Sequence, residues 1–341
     1  MLKKMLVVLL CCSVSVALPA VDVELRADHP ERHVVRKGDT LWDIAAMFLT
    51  KPWLWPEIWQ VNPQIKNPHL IYPGDGLSLA FKDGKPYLQV TRGQRLKLSP
   101  KVRSAQRARA IPPIPLDAIQ PFLSRPRVVG PDELQRAPYV LSSRDQHLVA
   151  GAGHRIYIRG LDDAGRTRYT VYRQGEVYRD PVDNEVLGYE ALHVGDAVVE
   201  RFGDPATAVI TRSKREVLIG DRLLPESHSS VLEFVPRAPD HELEGSVIAV
   251  IDGVSQVGQY QVVVLNLGEE QGLVPGHVLA LYQSGEFVRD NIGAAHAGEL
   301  VELPEERIGD LMVFRTFGKV SYALVMRTER PAHVYDAVRN P

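Results

Sequence analysis

Thiols are almost missing from this 341-residue chain: its two cysteines are adjacent, Cys11 and Cys12, inside a leader-like N-terminus. A disulfide framework and cysteine-based catalysis are therefore not expected downstream. Tryptophan is equally scarce, and all four lie between Trp42 and Trp59. The sequence contains no uninterrupted apolar run of about 18 residues, the minimum for a membrane-spanning helix. Charge of one sign is lacking too. With 40 Lys+Arg against 42 Asp+Glu the formal net charge is -2, too balanced for the basic field that drives non-specific nucleic-acid binding. What the chain does have is 45% hydrophobic residues, enough to build two or three cores.

Residues 1–20 open with Lys3 and Lys4, continue through an apolar run from Met5 to about Ser13, and offer small-residue exits after Ala17 or Ala20. That is the pattern of a secretory signal peptide. Lipidation is disfavoured because Leu10, rather than a small residue, precedes Cys11. Cleavage would remove both thiols and deliver a protein without cysteine to an oxidising compartment.

Between His33 and Leu79 the pattern predicts strand, helix, helix, strand. His33–Val35 and Gly76–Leu79 read as short strands. Thr40 with Asp43 three residues on is a capping box, and Leu41, Ile44, Ala45 and Phe48 follow at helical spacing. Lys51-Pro52 ends that helix; Pro56-Glu57-Ile58-Trp59 starts a second, which Asn62-Pro63 stops. Two separated signatures, Lys37-Gly38-Asp39-Thr40-Leu41 and Ile71-Tyr72-Pro73-Gly74-Asp75, resemble those of LysM domains, βααβ modules that bind the N-acetylglucosamine backbone of peptidoglycan or chitin. An insertion, Thr50 to Pro56, carries Trp53 and Trp55. The resemblance implies a glycan groove with Gly38, Asp39, Thr40 and Leu41 on one wall and Pro68, Leu70 and Ile71 on the other. Loop backbone donors and acceptors beside apolar surface suit a neutral sugar with acetyl groups. A purely structural role is the competing reading, since Asp39 and Thr40 also cap the helix and Leu41 and Ile71 also fit a core. Trp55 and Trp59, four apart on a helix, read as core; Trp53 beside Pro52 reads as exposed.

From Lys97 to Arg127 seven basic residues (Lys97, Lys101, Arg103, Arg107, Arg109, Arg125, Arg127) face one acid, Asp117, around Ile111-Pro112-Pro113-Ile114-Pro115. Prolines cannot donate to a ladder, so the segment reads as an extended, solvated tether, or as a basic strip touching anionic wall polymer or lipid headgroups.

Beyond Val128, alternating runs such as Arg155–Arg159 predict short strands. Part of this region is repeated: Gln174–Asp180 returns as Ser284–Asp290, and Gly195, Asp196, Val199, Arg201, Ala208 and Arg212 pair with Gly309, Asp310, Val313, Arg315, Ala323 and Arg327. In strands, the repeated arginines read as outward charges guarding an edge. Val262 to Gly276 resembles the C-terminal β domain of FlgT-like flagellar proteins. Signal peptide, LysM module, spacer and FlgT-like end together resemble the TsaP family, the secretin-associated proteins of type IV pili.

Catalytic signatures are lacking. No two of the 11 histidines stand two apart, and no His-Glu-x-x-His helix or Gly-x-Ser-x-Gly elbow occurs. His29 and His33 have metal-like spacing but read as a solvated surface pair, and Glu269-Glu270 and Glu305-Glu306 as surface acids rather than a glycosidase dyad. The expectation is an α+β chain: signal peptide 1–20, βααβ LysM module 32–81, basic Pro-rich linker 82–127, and a predominantly β C-terminal region of two related modules, 128–236 and 240–341. No cofactor or metal is expected. The resemblance implies a non-enzymatic, periplasmic protein that binds peptidoglycan and anchors an outer-membrane secretin to the wall; a scaffold for another envelope machine such as the flagellum, or a peptidoglycan hydrolase, are the alternatives.

Overall fold

The computed structural model describes residues 23–60, 71–82, 84–92, 110–115, 118–119, 127–144, 148–161, 165–226, 235–251, 256–283, 285, 287–292 and 298–341. The leader at 1–20, and Pro68 and Leu70 of the expected groove, lie outside them. Among the described residues strands dominate, after a small helical start, and no helix is long and apolar enough to cross a membrane.

The first unit runs β1 (Arg32–Val34), α1 (Leu41–Phe48), a 3-10 turn (Pro52–Leu54), α2 (Trp55–Gln60), β2 (Gly76–Lys82) and β3 (Lys85–Thr91). The capping box forms as the sequence predicts: the Asp43 amide donates to Thr40 Oγ1 at 3.1 Å, and the Thr40 amide to Asp43 Oδ2 at 3.3 Å. The apolar face of α1 then meets Trp55, Ile58 and Trp59 of α2 and Leu77 and Leu88 of the sheet in one core. Strand β3 comes from residues read as linker. It pairs with β2 from Gly76↔Thr91 to Lys82↔Lys85, making a three-stranded antiparallel sheet.

Next come β4 (Arg127–Val129), α3 (Pro131–Arg136), β5 (Tyr139–Ser143), β6 (Val149–Ala150), β7 (Arg155–Arg159), β8 (Arg168–Arg179), β9 (Val186–Arg201), β10 (Ala206–Ser213), β11 (Val217–Leu218) and β12 (Arg222–Pro225). Their sheet order is β10-β7-β5-β12-β8-β9-β4, and β10 also pairs with β9. That last pairing closes six strands into a ring and leaves β4 on the outside of β9. The chain then repeats the plan with β13 (Glu244–Val250), β14 (Gln256–Val257), β15 (Val262–Leu265), β16 (Val278–Gln283), β17 (Phe287–Arg289), β18 (Leu300–Glu302), β19 (Glu306–Thr316), β20 (Ser321–Thr328), β21 (Ala332–His333) and β22 (Ala337–Arg339). These close a barrel of order β13-β15-β20-β19-β16-β22, the same cyclic order as β5-β7-β10-β9-β8-β12. The minor pairs β6–β11 and β14–β21 also correspond.

The residues that pair in the sequence repeat occupy equivalent places. Ala208↔Val199 and Arg212↔Asp196 in one hairpin match Ala323↔Val313 and Arg327↔Asp310 in the other. The repeated glycines have one cause: a Cβ on Gly195 would lie 2.5 Å from the Arg212 carbonyl oxygen, and one on Gly309 would lie 2.1 Å from that of Arg327. Only glycine lets the neighbouring strand pass so close. Arg315 departs from the outward-charge expectation: it is half-buried with its guanidinium over the Phe317 ring.

The barrels differ in what covers them. In β7 the ends Arg155 and Arg159 are exposed while Ile156 and Ile158 point inward, the alternation of a sheet wet on one side. In β15, β19 and β20 both faces are buried. Val263, Leu311, Val313, Ala323 and Val325 fill the barrel, while Val262, Val264, Met312, Phe314, Tyr322 and Leu324 form an outer cluster with Trp42 and Trp53 of the first unit, with Ile114 and Ile119, and with Tyr178 of β8. The continuous apolar runs of the second barrel thus record a surface that the rest of the chain covers.

Candidate functional site

The two signatures of the first unit are one device used twice. In Arg36–Asp39 and Tyr72–Asp75 the fourth amide donates to the first carbonyl, at 3.3 and 3.0 Å, and the third residue, Gly38 or Gly74, has φ of +104° or +99°. This is the type II pattern, which requires a left-handed third residue and therefore favours glycine. The aspartate locks each turn from below: Asp39 Oδ2 accepts from the Arg36 amide at 2.9 Å and Asp75 Oδ2 from the Tyr72 amide at 3.0 Å. The turns are joined where the Val35 amide donates to Asp75 O and the Gly74 amide to Val35 O. Leu218–Asp221 and His333–Asp336 repeat the same aspartate lock in the two barrels, with Gly220 and, in place of a glycine, Tyr335 at the positive-φ third position.

Of the expected groove residues, Gly38 lies exposed at the rim and Asp39 is half-buried, its Oδ2 also 2.8 Å from His33 Nε2. His33 is thus committed to Asp39, while the His29 ring lies tilted 6.2 Å from Phe48. Thr40 is buried as the helix cap, and Leu41 and Ile71 send their side chains into the core. What Leu41 and Ile71 offer a ligand is backbone: the Leu41 amide, unpaired within its helix as all first-turn amides are, and the Ile71 carbonyl.

Those backbone groups face residues 111–115 of the same chain. The Ile111 amide donates to Ile71 O at 2.9 Å, the Leu41 amide to Pro112 O at 3.0 Å, and the Trp42 amide to Pro113 O at 3.1 Å. Ile111 is buried in the core of the first unit, and Ile114 in the cluster shared with the second barrel. The solvated-tether reading therefore fails for 111–115: an X-Pro run cannot join a sheet, but its carbonyls can take up the spare amides at a helix N-terminus. Trp53 also departs from the exposed position expected of it. It is 3% accessible, with Lys51 Nζ and the Arg307 guanidinium of β19 each over its ring, 5.8 Å from the centroid. Trp55 and Trp59 lie in the core as their spacing predicts. Sequence reasoning missed this packing because its partners are distant in the chain, Leu41, Trp42 and Ile71 for the strap and Arg307 for Trp53; the one available signal was an apolar residue, Ile111 or Ile114, on either side of a Pro-Pro pair.

Among the described residues no group of three or more His, Cys, Asp or Glu is placed to hold a metal. The comparisons agree with the geometry of the first unit. A protein of Bacillus subtilis (strain 168) named uncharacterized protein YqbP is 38% identical over 60 residues, which make up 15% of this chain and 27% of that protein. This chain thus spans about a quarter of the length of that relative. Residues 33–79 match the LysM domain family, so this chain carries a LysM domain, a carbohydrate-binding and non-catalytic module that points to peptidoglycan binding.

Proposed function

We infer that the protein is a non-enzymatic wall anchor in the periplasm: its LysM domain holds peptidoglycan, and its β barrels engage an outer-membrane assembly, with the secretin of type IV pili as the favoured partner. The observation that supports the reading is the pair of locked turns at Arg36–Asp39 and Tyr72–Asp75 inside the LysM match at 33–79; on the resemblance to LysM domains, the backbone next to these turns, with the Leu41 amide and the Ile71 carbonyl, is the proposed N-acetylglucosamine site. The secretin part rests on the resemblance to TsaP and to FlgT-like ends and is supported by the paired β barrels. A scaffold role in the flagellum draws on the same features.

The test is to retain the full chain on purified peptidoglycan sacculi, add detergent-solubilised outer membrane, and identify the complex that stays bound. Co-retention of a secretin ring supports the reading, and co-retention of a flagellar structure moves the anchor to that machine. Release of soluble muropeptides by the purified chain would contradict the non-enzymatic reading.

A further inference from the structure

We propose that residues 111–115 are an intramolecular occupant of the glycan groove, so that the LysM domain is self-occluded and a glycan strand must displace this strap to bind; the inference rests on the groove assignment above. Three hydrogen bonds carry it. They engage both walls at once, Leu41 and Trp42 on the helix side and Ile71 on the other, and these are backbone groups on which a sugar acetamide would depend. The strap's side chains are seated as well: Ile111 is 4% and Ile114 1% accessible. Sugar and strap cannot share one amide, so the two compete.

The strap is also a latch. Ile114 lies in the cluster that joins Trp42 and Trp53 to Val262, Val264 and Leu324 of the second barrel. Displacing it loosens the contact between the LysM domain and that barrel, so glycan binding and barrel exposure are coupled, and the coupling acts in both directions. Apparent affinity falls by the fraction of molecules with the groove open. If one molecule in ten or fewer is open, removing the strap raises affinity at least tenfold.

The test replaces Ile111–Pro115 by a Gly/Ser segment of equal length in the full chain and titrates both proteins with the N-acetylglucosamine tetramer, alongside sedimentation with sacculi. Binding about tenfold or more tighter in the replaced chain supports the strap; equal binding overturns it. If neither protein binds tetramer or sacculi, the glycan assignment itself fails. Because the replacement can unsettle the fold, hydrogen exchange on the native chain gives an independent reading. Ile111 and Ile114 carry the only amides of the strap, since the other three residues are proline. Faster exchange at Ile111 with saturating tetramer supports displacement, and unchanged or slower exchange overturns it.

Discussion

The Tyr260 hydroxyl donates a 2.5 Å hydrogen bond to Asp43 Oδ1, joining residues 217 positions apart. Asp43 is the residue that closes the capping box with Thr40, so one carboxylate both starts α1 and clamps it to the second barrel. Tyr260 has φ of +64°, a left-handed conformation uncommon for an aromatic residue. Burial and the Asp43 bond both raise its phenol above the ordinary tyrosine range. Tyr260→Phe is expected to destabilise the chain by about 1.5 kcal/mol and Thr40→Ala by about 1 kcal/mol. Because both act through Asp43, the double variant loses less than the sum. Urea unfolding of the four proteins measures this, and strict additivity would refute the shared carboxylate.

Glycines of two kinds give two sizes of effect. At Gly38 a Cβ meets nothing within 4 Å, and the cost of Gly38→Ala is the left-handed backbone alone, about 1–2 kcal/mol. At Gly309 the new Cβ would press on the Arg327 carbonyl oxygen, and the strand pair must part. Gly309→Ala is therefore the more damaging substitution, and Gly38→Asn costs less than Gly38→Ala because Asn tolerates left-handed φ. Thermal melts that rank Gly38→Ala as worse than Gly309→Ala would contradict this.

Trp53 bridges the LysM domain and β19 between Lys51 and Arg307. Trp53→Ala is expected to cost about 3–5 kcal/mol, the range for removing a large buried aromatic side chain. Denaturation would show a loss below 1 kcal/mol if the ring were exposed as its sequence neighbours suggest.

Asp310 gives a pH dependence. Burial raises its carboxyl above the ordinary range, against the opposing pull of Arg307, whose Nη2 lies 2.6 Å from Oδ1. The folded carboxyl holds its proton more tightly than the unfolded one. Its contribution to stability is therefore full below the unfolded value of about 3.9 and is lost as pH rises through the higher folded value. The stability of Asp310→Asn relative to the native chain should accordingly improve as pH rises from about 4 to 7. Arg307→Met, which removes the opposing cation, should steepen the native chain's decline over that range. A flat or reversed difference in unfolding free energy would show that Arg307 outweighs burial.

How much of this was legible in the sequence follows from the range of each interaction. The capping box, the two Gly-Asp turns and the strand–helix–helix–strand order depend on residues three or four apart and could be read directly. The duplicated hairpins could be read because Gly195 and Gly309 answer the same close approach of a neighbouring carbonyl. Barrel closure could not, since the β9–β10 and β19–β20 contacts fix local hairpins while closure needs β5 to meet β12 and β13 to meet β22. Strand β3 was hidden beside a basic, proline-rich stretch whose composition dominated the reading. Trp53 and Ile114 were hidden because part of their environment is made by the second barrel, and the strap's Pro-Pro pair, bonded to the first unit, reads as a spacer until its acceptor role is seen.

Sedimenting the full chain with purified peptidoglycan sacculi, with and without competing N-acetylglucosamine tetramer, tests whether the LysM domain holds wall glycan through the proposed groove between Leu41 and Ile71. The chain is expected to pellet with sacculi and to return to the supernatant when the tetramer is added. A chain that stays in the supernatant both in its native form and with the strap at 111–115 replaced would contradict the proposed groove.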